Sequence, residues 1–300
     1  MNKAQMHVLA LVGGLLAVVA VAGPAAAAFE DVEVSPRARG MGMSFIALRP
    51  DVFASFHNPA SLAWVEGFEG SASYVRPFGY DFSSQSVIAG VARLPEGWGG
   101  VGVGFRRFGV DYRGEDLTGE TTVAVSHGVR LLQDLQSELS VGWAINLYSL
   151  DYGRSVTGLD PGSATAVGIN LAAQAVVAER TTVGFYALNF NNPSIGDSDK
   201  EELRRRLGVG ASYAPYRGVE TVLDMSSELG EEIQFRGGTE FQVTDFLWLR
   251  GGLRTEPYII TAGVGIDHSR IRVDYGFSTG GGVLDVTHHF GVGYVFPDGR

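Results

Sequence analysis

The sequence RARGMGMSFIALRPDVFASFHNPASLA, residues 37–63, differs in kind from the chain that follows it. It contains the glycines Gly40 and Gly42, the apolar run 45–48 and the tripeptide Asn-Pro-Ala at 58–60. The proline fixes its own backbone and disfavours helical geometry at the preceding asparagine, whose side chain can hydrogen-bond the backbone just ahead. The stretch therefore predicts a tight turn between two short apolar pieces, in a compact segment that precedes a long β-domain.

From about Gly70 onward the dominant periodicity is two. In residues 139–147, large apolar side chains such as Trp143 and Ile145 take one face, and small or polar ones such as Asn146 take the other. This is the alternation of a β-strand, and similar runs predict fourteen strands. The predicted strands lie near residues 70–78, 84–94, 99–112, 118–131, 137–152, 162–177, 181–190, 204–215, 218–228, 231–243, 245–255, 258–268, 270–278 and 285–296.

The face opposite the large side chains is mainly Gly, Ala, Ser and Asn, with scattered charges. In a water-soluble β-sandwich this face would meet water and would carry more Lys, Thr and Glu. Lining a lumen suits it better, because glycine lets another segment approach the wall closely. The chain has 42 glycines, about twice the usual share. Those in the inward register include Gly100, Gly102, Gly104, Gly263, Gly265, Gly291 and Gly293.

These patterns together define the predicted fold. Eight strands give a barrel filled by its own side chains, whereas a wider barrel leaves room for a plug. We therefore predict an all-β protein, a transmembrane antiparallel β-barrel of about fourteen strands with a short N-terminal hatch inside the lumen. Links after even-numbered strands are short, and longer polar links at 111–118, 151–162 and 191–203 follow odd-numbered ones. Short turns are typical of the periplasmic side of such barrels.

The amino terminus predicts export. Lys3 precedes an apolar core at 8–22, the pair Gly23-Pro24 and a run of small residues at 25–28, which is the pattern of a secretory signal peptide. We predict that residues 1–28 are cleaved, leaving Phe29 first, with the hatch at 29–68 and the barrel at 69–300. The chain has no cysteine, which excludes a lipid-modified amino terminus and any disulfide framework.

The hatch stretch resembles that of the FadL-like outer-membrane transporters and of the smaller PorV/PorQ-type barrels. The matching positions are Gly40-Met41-Gly42, Asp51 and Asn58-Pro59-Ala60. The resemblance implies a bacterial outer-membrane barrel whose N-terminal segment folds inside the lumen. Because the chain is short, it implies first an accessory or structural role of the PorV/PorQ type, in type IX protein secretion or surface attachment. The alternative is a FadL-like transporter for long-chain fatty acids or other hydrophobic solutes.

Charged residues recur in the predicted lumen face. Buried charges are costly unless they are paired, so we expect them to pair with one another and with the hatch; a polar substrate path is the alternative. A further cluster, Arg204-Arg205-Arg206, follows the helix-capping pattern Ser198-x-x-Glu201, which indicates a solvated helical turn or a contact with lipopolysaccharide phosphates. The lumen charges are Arg106, Arg130, Asp224, Arg236, Glu240, Arg250, Arg254, Arg272 and Asp274.

The last predicted strand places Phe290, Tyr294 and Phe296 on one face. This resembles the aromatic-ended signal that the barrel-assembly machinery reads, although residues 297–300 follow the terminal aromatic. The predicted partners are therefore outer-membrane lipid, lipopolysaccharide and that machinery, with a secretion partner or a hydrophobic solute depending on the function.

Several function classes are not expected. The net charge of −10 argues against nucleic acid as a partner, since there is no basic surface to displace phosphate counterions. The histidines lack metal-ligand spacing, so neither a metal nor another cofactor is predicted. Ser55, His57 and Asp51 are close in sequence, but no G-x-S-x-G elbow is present, and we do not expect an enzyme.

Overall fold

Fourteen strands close into one antiparallel barrel in the computed structural model of the chain. The structure describes residues 29, 33–49, 51–134, 137–153, 162–196, 200–228, 231–281 and 284–297. Each barrel strand pairs with the next one along the wall, and the last strand closes the sheet against the first. The predicted signal sequence, residues 1–28, lies outside the described residues. No helix in the described part of the chain has the length and hydropathy needed to cross a membrane.

The strand bounds agree with the prediction to within three residues at every end of the fourteen barrel strands. A separate two-stranded sheet, β8 with β9, lies between β7 and β10. The strands are β1 (Phe68–Arg76), β2 (Ser83–Arg93), β3 (Gly100–Tyr112), β4 (Glu115–Gln133), β5 (Ser137–Tyr152), β6 (Ser163–Val177), β7 (Thr181–Leu188), β8 (Ser194–Ile195), β9 (Glu201–Glu202), β10 (Arg206–Tyr213), β11 (Val219–Glu228), β12 (Gln234–Thr244), β13 (Leu247–Arg254), β14 (Ile259–His268), β15 (Ile271–Ser278) and β16 (Thr287–Phe296).

The two faces of the wall follow the predicted alternation. On β5, Trp143 and Ile145 are 41% and 45% exposed, whereas Ala144 and Asn146 between and beyond them are buried. The outward side chains are large and apolar along most of the barrel, which suits contact with lipid. The strands differ in length: β3 to β6 run 13 to 19 residues, and those from β10 round to β1 run 8 to 11. The wall is therefore taller on one side.

The N-terminal segment fills the lumen. Helix α1 (Pro36–Gly40) begins after Ser35, whose Oγ accepts a hydrogen bond from the Ala38 amide at 3.2 Å. A 3₁₀ helix (Pro59–Trp64) begins after Asn58. Helix α1 lies against β13 to β16, and the 3₁₀ helix lies against β2 to β6. The predicted internal hatch is confirmed, and β1 begins at Phe68, two residues before the predicted first strand.

The apolar residues of the hatch form its contact with the wall. Phe45, Leu48, Phe53 and Leu62 are all buried, and Phe56 packs beside them. Glycines on the wall provide the room, because a Cβ at Gly102 would lie 2.6 Å from the Ser55 hydroxyl and one at Gly291 would lie 2.7 Å from the Pro36 ring. Gly100 and Gly104 similarly face Leu62 and Phe56, and Gly263 faces Gly40. Gly265 instead makes room for the Arg250 guanidinium, whereas a Cβ at Gly293 would meet no atom closer than 3.6 Å.

One predicted loop was wrong. Residues 111–118 were expected to form a longer polar link, but β3 and β4 continue until only Arg113 and Gly114 connect them. Both turn residues have positive φ, 58° and 83°, as in the tight two-residue turns that match strand twist. Glu115, Asp116 and Thr118 still pair with β3, and Thr118 also pairs with β5. Polarity there therefore marks a strand beyond the apolar band rather than a loop.

Candidate functional site

The Asn-Pro-Ala turn is fixed by the asparagine side chain. Asn58 Oδ1 accepts a hydrogen bond from the Ala60 amide at 3.0 Å, which caps the 3₁₀ helix that Pro59 opens. Asn58 Nδ2 donates to the Ile46 carbonyl at 2.7 Å. One side chain therefore joins the two apolar pieces of the hatch, and Ala60 is fully buried beneath the wall.

The glycines Gly40 and Gly42 lie where α1 meets the barrel. Thr261 Oγ1 accepts a hydrogen bond from the Gly42 amide at 2.9 Å and donates to the Gly40 carbonyl at 3.1 Å. Gly42 has a φ of 73°, which glycine adopts without steric cost. A Cβ at Gly40 would lie 3.0 Å from the Gly263 Cα. The backbone of the hatch thus touches the backbone of β14.

Asp224 of β11 holds the hatch by its backbone. Its Oδ2 accepts hydrogen bonds from the amides of Phe45 and Ile46 at 2.7 and 3.1 Å. Gln174 of β6, on the same side of the barrel, donates to the Ile46 carbonyl at 2.8 Å. Amides and carbonyls buried away from water must be paired, and the wall supplies these partners. Asp224 was predicted as a lumen charge, and its contact is with the hatch.

His57 lies between two carboxylates of the hatch. Its Nε2 is 2.7 Å from Glu33 Oε1, and its Nδ1 is 3.2 Å from Asp51 Oδ2. The imidazole also stacks on the Phe45 ring at a centroid distance of 4.4 Å. Burial alone lowers the pKa of His57, but the negative charge of Glu33 and the hydrogen bonds from both carboxylates outweigh it and raise the pKa to about 10. Residue 57 is therefore a cation at neutral pH.

Asp51 is ionised beside this cation. Burial raises the pKa of Asp51, but the hydrogen bond and charge of His57 outweigh burial and hold the pKa below its ordinary value. Ser55, the remaining candidate of a hydrolytic triad, hydrogen-bonds Ser126 Oγ at 2.7 Å. The His57 nitrogen that a serine nucleophile would need faces Glu33 instead. These three residues therefore do not form a triad.

A chain of ion pairs joins the hatch to the wall at its other end. Arg37 donates to Glu240 from Nε and Nη2, at 3.0 and 2.9 Å. Arg250 donates to the same Glu240 at 2.5 Å and to Asp274 at 2.6 Å. Arg37 also reaches Glu220 at 3.4 Å. Buried guanidinium and carboxylate groups alternate along this chain, so each has an opposite charge beside it.

The other lumen charges have varied partners. Arg236 donates to the Met43 carbonyl at 3.3 Å, and Arg254 lies 3.4 Å from the Met43 sulfur, so both contact the hatch. Arg272 pairs with Asp267 at 2.6 Å. Arg130 reaches Glu138 at 4.0 Å. Arg106 donates to Thr122 Oγ1 at 3.3 Å and forms no ion pair with a carboxylate of the described residues.

The arginine cluster near β10 differs from the prediction. Arg204 and Arg206 both pair with Glu228, with Arg204 Nη1 at 2.9 Å from its Oε2. Glu201 lies in β9 rather than in a helical turn, because its backbone pairs with β8. Ser198 lies outside the described residues. Two of the three arginines thus have a carboxylate partner within the protein.

Two cavities lie between the hatch and the wall, at opposite ends of the lumen. The outer cavity, about 70 Å³, is lined by Phe29, Val34, Phe45, Phe56, Tyr186 and Leu188, with Arg106 and Asn189 among its polar groups. The inner cavity, about 370 Å³, is lined largely by charged residues, including Arg37, Arg49, Asp51, Glu69 and Arg272. The outer cavity is the candidate functional site, because apolar side chains with convergent polar groups are typical of sites for small molecules. Its other polar lining residues are Glu33, His57, Thr122, Asn146, Tyr148, Arg204 and Arg206.

Residues missed by the sequence analysis close the outer cavity. Ile195 and Leu203, from the β7–β10 connection, are buried against Phe29 and Tyr148 at the mouth. Asn189 accepts a hydrogen bond from the Tyr148 hydroxyl at 2.9 Å and donates to the Arg204 carbonyl at 2.8 Å. A signal was present: Tyr148 and Leu150 are large residues in the inward register of β5, where small ones predominate. Nothing in the sequence distinguishes Glu33.

The aromatic residues of β16 lie on the outward face of the strand. Phe290, Tyr294 and Phe296 are all exposed on the lipid side, and Phe296 stacks on Phe68 of β1 at a centroid distance of 4.4 Å. Among the described residues, no group of three His, Asp or Glu side chains is placed to hold a metal ion.

No protein-family model and no curated protein sequence matches the chain. Solved structures do match it. The Ralstonia pickettii toluene transporter TbuX is 14% identical, with a TM-score of 0.62 over 89% of this chain and 100% of that one. The CymD monoaromatic hydrocarbon channel is 10% identical, with a TM-score of 0.66 over 91% and 100%. A Pseudomonas aeruginosa FadL homologue is 11% identical, with a TM-score of 0.55 over 88% and 98%.

These likenesses show the fold. The chain shares the fold of these barrels, and in this chain the closed antiparallel barrel has fourteen strands, as the strand pattern predicted. The likenesses do not distinguish the PorV/PorQ type that we placed first from the transporter alternative.

Proposed function

We propose that this protein is a bacterial outer-membrane transporter that passes small hydrophobic solutes through a plugged barrel. The observation that carries the proposal is the outer cavity, which lies between the hatch and the barrel and has aromatic and aliphatic side chains over part of its wall. Solved barrels of the same fold are a toluene transporter and a monoaromatic hydrocarbon channel. The apolar outward face and the signal-like residues 1–28 support the outer-membrane location.

The cavity volume bears on the size of the solute. An apolar cavity of about 150 Å³ binds benzene, and the outer cavity holds about 70 Å³. A monoaromatic solute therefore requires movement of the hatch or of the cover made by Ile195 and Leu203. Arg106, Arg204 and Arg206 also line this cavity, so it accommodates a solute with a polar or anionic end beside an apolar part.

The PorV/PorQ-type accessory role draws no support from these structural neighbours. A lumen filled by a hatch is compatible with either function, so a solute-uptake assay is needed to distinguish them. In the accessory role the protein would bind a secretion partner, and its expression would leave solute uptake unchanged.

The experiment is uptake of radiolabelled toluene and of a long-chain fatty acid by cells that lack their own transporter. Expression of the protein is expected to raise the uptake rate of at least one of them. Leu188→Trp fills the outer cavity from its wall and is expected to return uptake to background. Leu147→Trp is the matched control, because Leu147 is 48% exposed on the lipid side.

An expressed, folded protein that raises uptake of neither solute would refute the transporter proposal. Equal uptake by the two tryptophan variants would show that solutes do not use this cavity.

A further inference from the structure

The two cavities are lined by neighbouring residues of the hatch. The outer cavity is bounded by Glu33, His57 and Phe56, and the inner cavity by Ser35, Asp51 and Phe53. The outer one lies beside Leu203 and Arg204, close to the connection between β7 and β10, and the inner one lies beside Ser269 and Arg270, in the turn between β14 and β15. These two links fall at opposite ends of the barrel. A path through the described lumen therefore has to cross the layer that contains these hatch residues.

One hydrogen-bonded unit crosses that layer. Glu33 and His57 face the outer cavity, Asp51 faces the inner cavity, and the imidazole bonds both carboxylates, at 2.7 and 3.2 Å. We call these three residues the His57 bridge.

Backbone amides hold both ends of the bridge in place. Glu33 Oε1 accepts a hydrogen bond from the Ser35 amide at 2.8 Å, and Asp51 Oδ1 accepts one from the Phe53 amide at 2.8 Å. Charge-assisted hydrogen bonds of this kind are stronger than neutral ones. The stacked Phe45 ring covers one face of the imidazole. The bridge is thus a rigid, buried partition whose members come from separate parts of the hatch.

We propose that the His57 bridge is the seal between the outer and inner cavities, with the His57 imidazole as the blocking group and Glu33 and Asp51 as its positioning residues. The inference deepens the proposed transport function by naming where its path is closed. A permeant that crosses the hatch passes where the imidazole now lies. The permeants expected when the seal is lost are small ions and polar solutes, because the inner cavity is lined by charges.

The test is the conductance of the purified full-length protein in planar bilayers bathed in potassium chloride. Intact protein is expected to conduct little, and His57→Ala is expected to raise the conductance several-fold. Leu48→Ala is the matched control, since Leu48 is equally buried in the hatch but packs against Met41 and Val222 and lines neither cavity. Adding imidazole to His57→Ala is expected to lower its conductance again, a response that a general loosening of the hatch would not give.

The positioning residues provide a second variant. Glu33→Gln with Asp51→Asn keeps the volume of the bridge but removes both charges, so brief openings are expected in place of a steady current. A heat-modifiable band on gels verifies that each variant is folded. If His57→Ala does not fold, the double variant tests the proposal in its place. A folded double variant that shows no channel openings refutes the seal.

The result that overturns the inference is a folded His57→Ala protein that conducts no more than intact protein and Leu48→Ala. Failure of the proposed function is distinguishable, because it appears as absent hydrophobic uptake by intact protein, whatever the ion conductance of His57→Ala.

Discussion

Gly251 and Gly252 are neighbours on β13, yet they face different surroundings. A Cβ at Gly252 would lie 2.6 Å from the Met41 carbonyl carbon, whereas one at Gly251 would meet no atom within 4 Å. Overpacking a well-filled site typically costs about 1–3 kcal/mol, and a surface change usually stays within about 0.5 kcal/mol. We therefore expect Gly252→Val to destabilise the protein and Gly251→Val to be near neutral, as measured by denaturant unfolding in lipid vesicles. Equal stabilities would contradict the close packing of the hatch on β13.

The pKa of His57 gives a pH dependence of known sign. Its folded value, about 10, lies above the ordinary 6.5, so the cation contributes stability fully below about pH 6.5 and loses it as the pH rises through about 10. We expect the thermal unfolding midpoint of the protein to fall over this window, and to fall less in His57→Gln. Thermal scans at each pH, with gel mobility as the readout of unfolding, measure the midpoint. Parallel curves for the two proteins would show that residue 57 does not carry the charge.

For single residues, the sequence indicated which face of the wall a side chain lies on, but not whether the hatch packs against it. Asn146 was predicted to face the lumen, and it does, but it is only 3% exposed and donates to the Tyr148 hydroxyl at 3.0 Å. Period-two alternation depends on the strand itself, so it is visible in the sequence. How closely the hatch approaches each inward position depends on two distant segments, and no local pattern reports it.

At the scale of elements, each strand presents one side to lipid. Ile145 on β5 and Val264 on β14 occupy the outward register. Arginine on the lipid face at mid-bilayer costs about 2–4 kcal/mol, so Ile145→Arg and Val264→Arg should each be destabilised by that amount in bilayer refolding.

The control for these arginines is Ser71→Arg, since Ser71 lines the open, charged inner cavity. Its cost should be smaller. A penalty as large at Ser71 as at Ile145 would contradict the assignment of the outward face to lipid.

The closing strand carries the second element-level prediction. Phe296 is the last residue of β16, and it packs on Phe68 across the β1–β16 seam and edge-to-face on Tyr294 at 4.9 Å. Phe296→Ala should slow assembly and leave protease-sensitive chain in the periplasm. The rate at which the heat-modifiable band appears on gels measures assembly. Tyr216→Ala, at an exposed turn, is the control. Wild-type kinetics for Phe296→Ala would mean that this aromatic is not read as a signal.

Strand number and faces could be predicted because each strand repeats its pattern locally. The ends of the β3–β4 hairpin could not be predicted, because the mainly polar residues 115–118 fit a loop as well as a strand that extends beyond the apolar band. The partners of the lumen charges could not be chosen either. Arg37 meets Glu240, 203 positions away, and only barrel closure brings them together.

At the scale of the whole molecule, the hatch is the largest internal contact of the barrel wall. Deleting residues 37–63 removes Phe45, Leu48, Phe53, Phe56 and Leu62, each worth about 1.5–3 kcal/mol of burial. The barrel ladder is independent of these residues, so we expect the deleted protein to insert but to be leaky and less heat-stable. Liposome conductance measures this. An intact protein that already conducts like an open pore would show that the hatch is not a plug.

The unequal strand lengths bear on the surrounding membrane. An eight-residue strand such as β13 or β15, at about 3.3 Å per residue and a tilt near 40°, spans roughly 20 Å against an apolar band of about 25 Å. Lipid beside the short arc has to thin to meet it, at a cost of fractions of a kcal/mol per ångström. The taller arc of β3 to β6 imposes no such compression. We therefore expect a thinner bilayer along the short flank of the barrel than along the tall one.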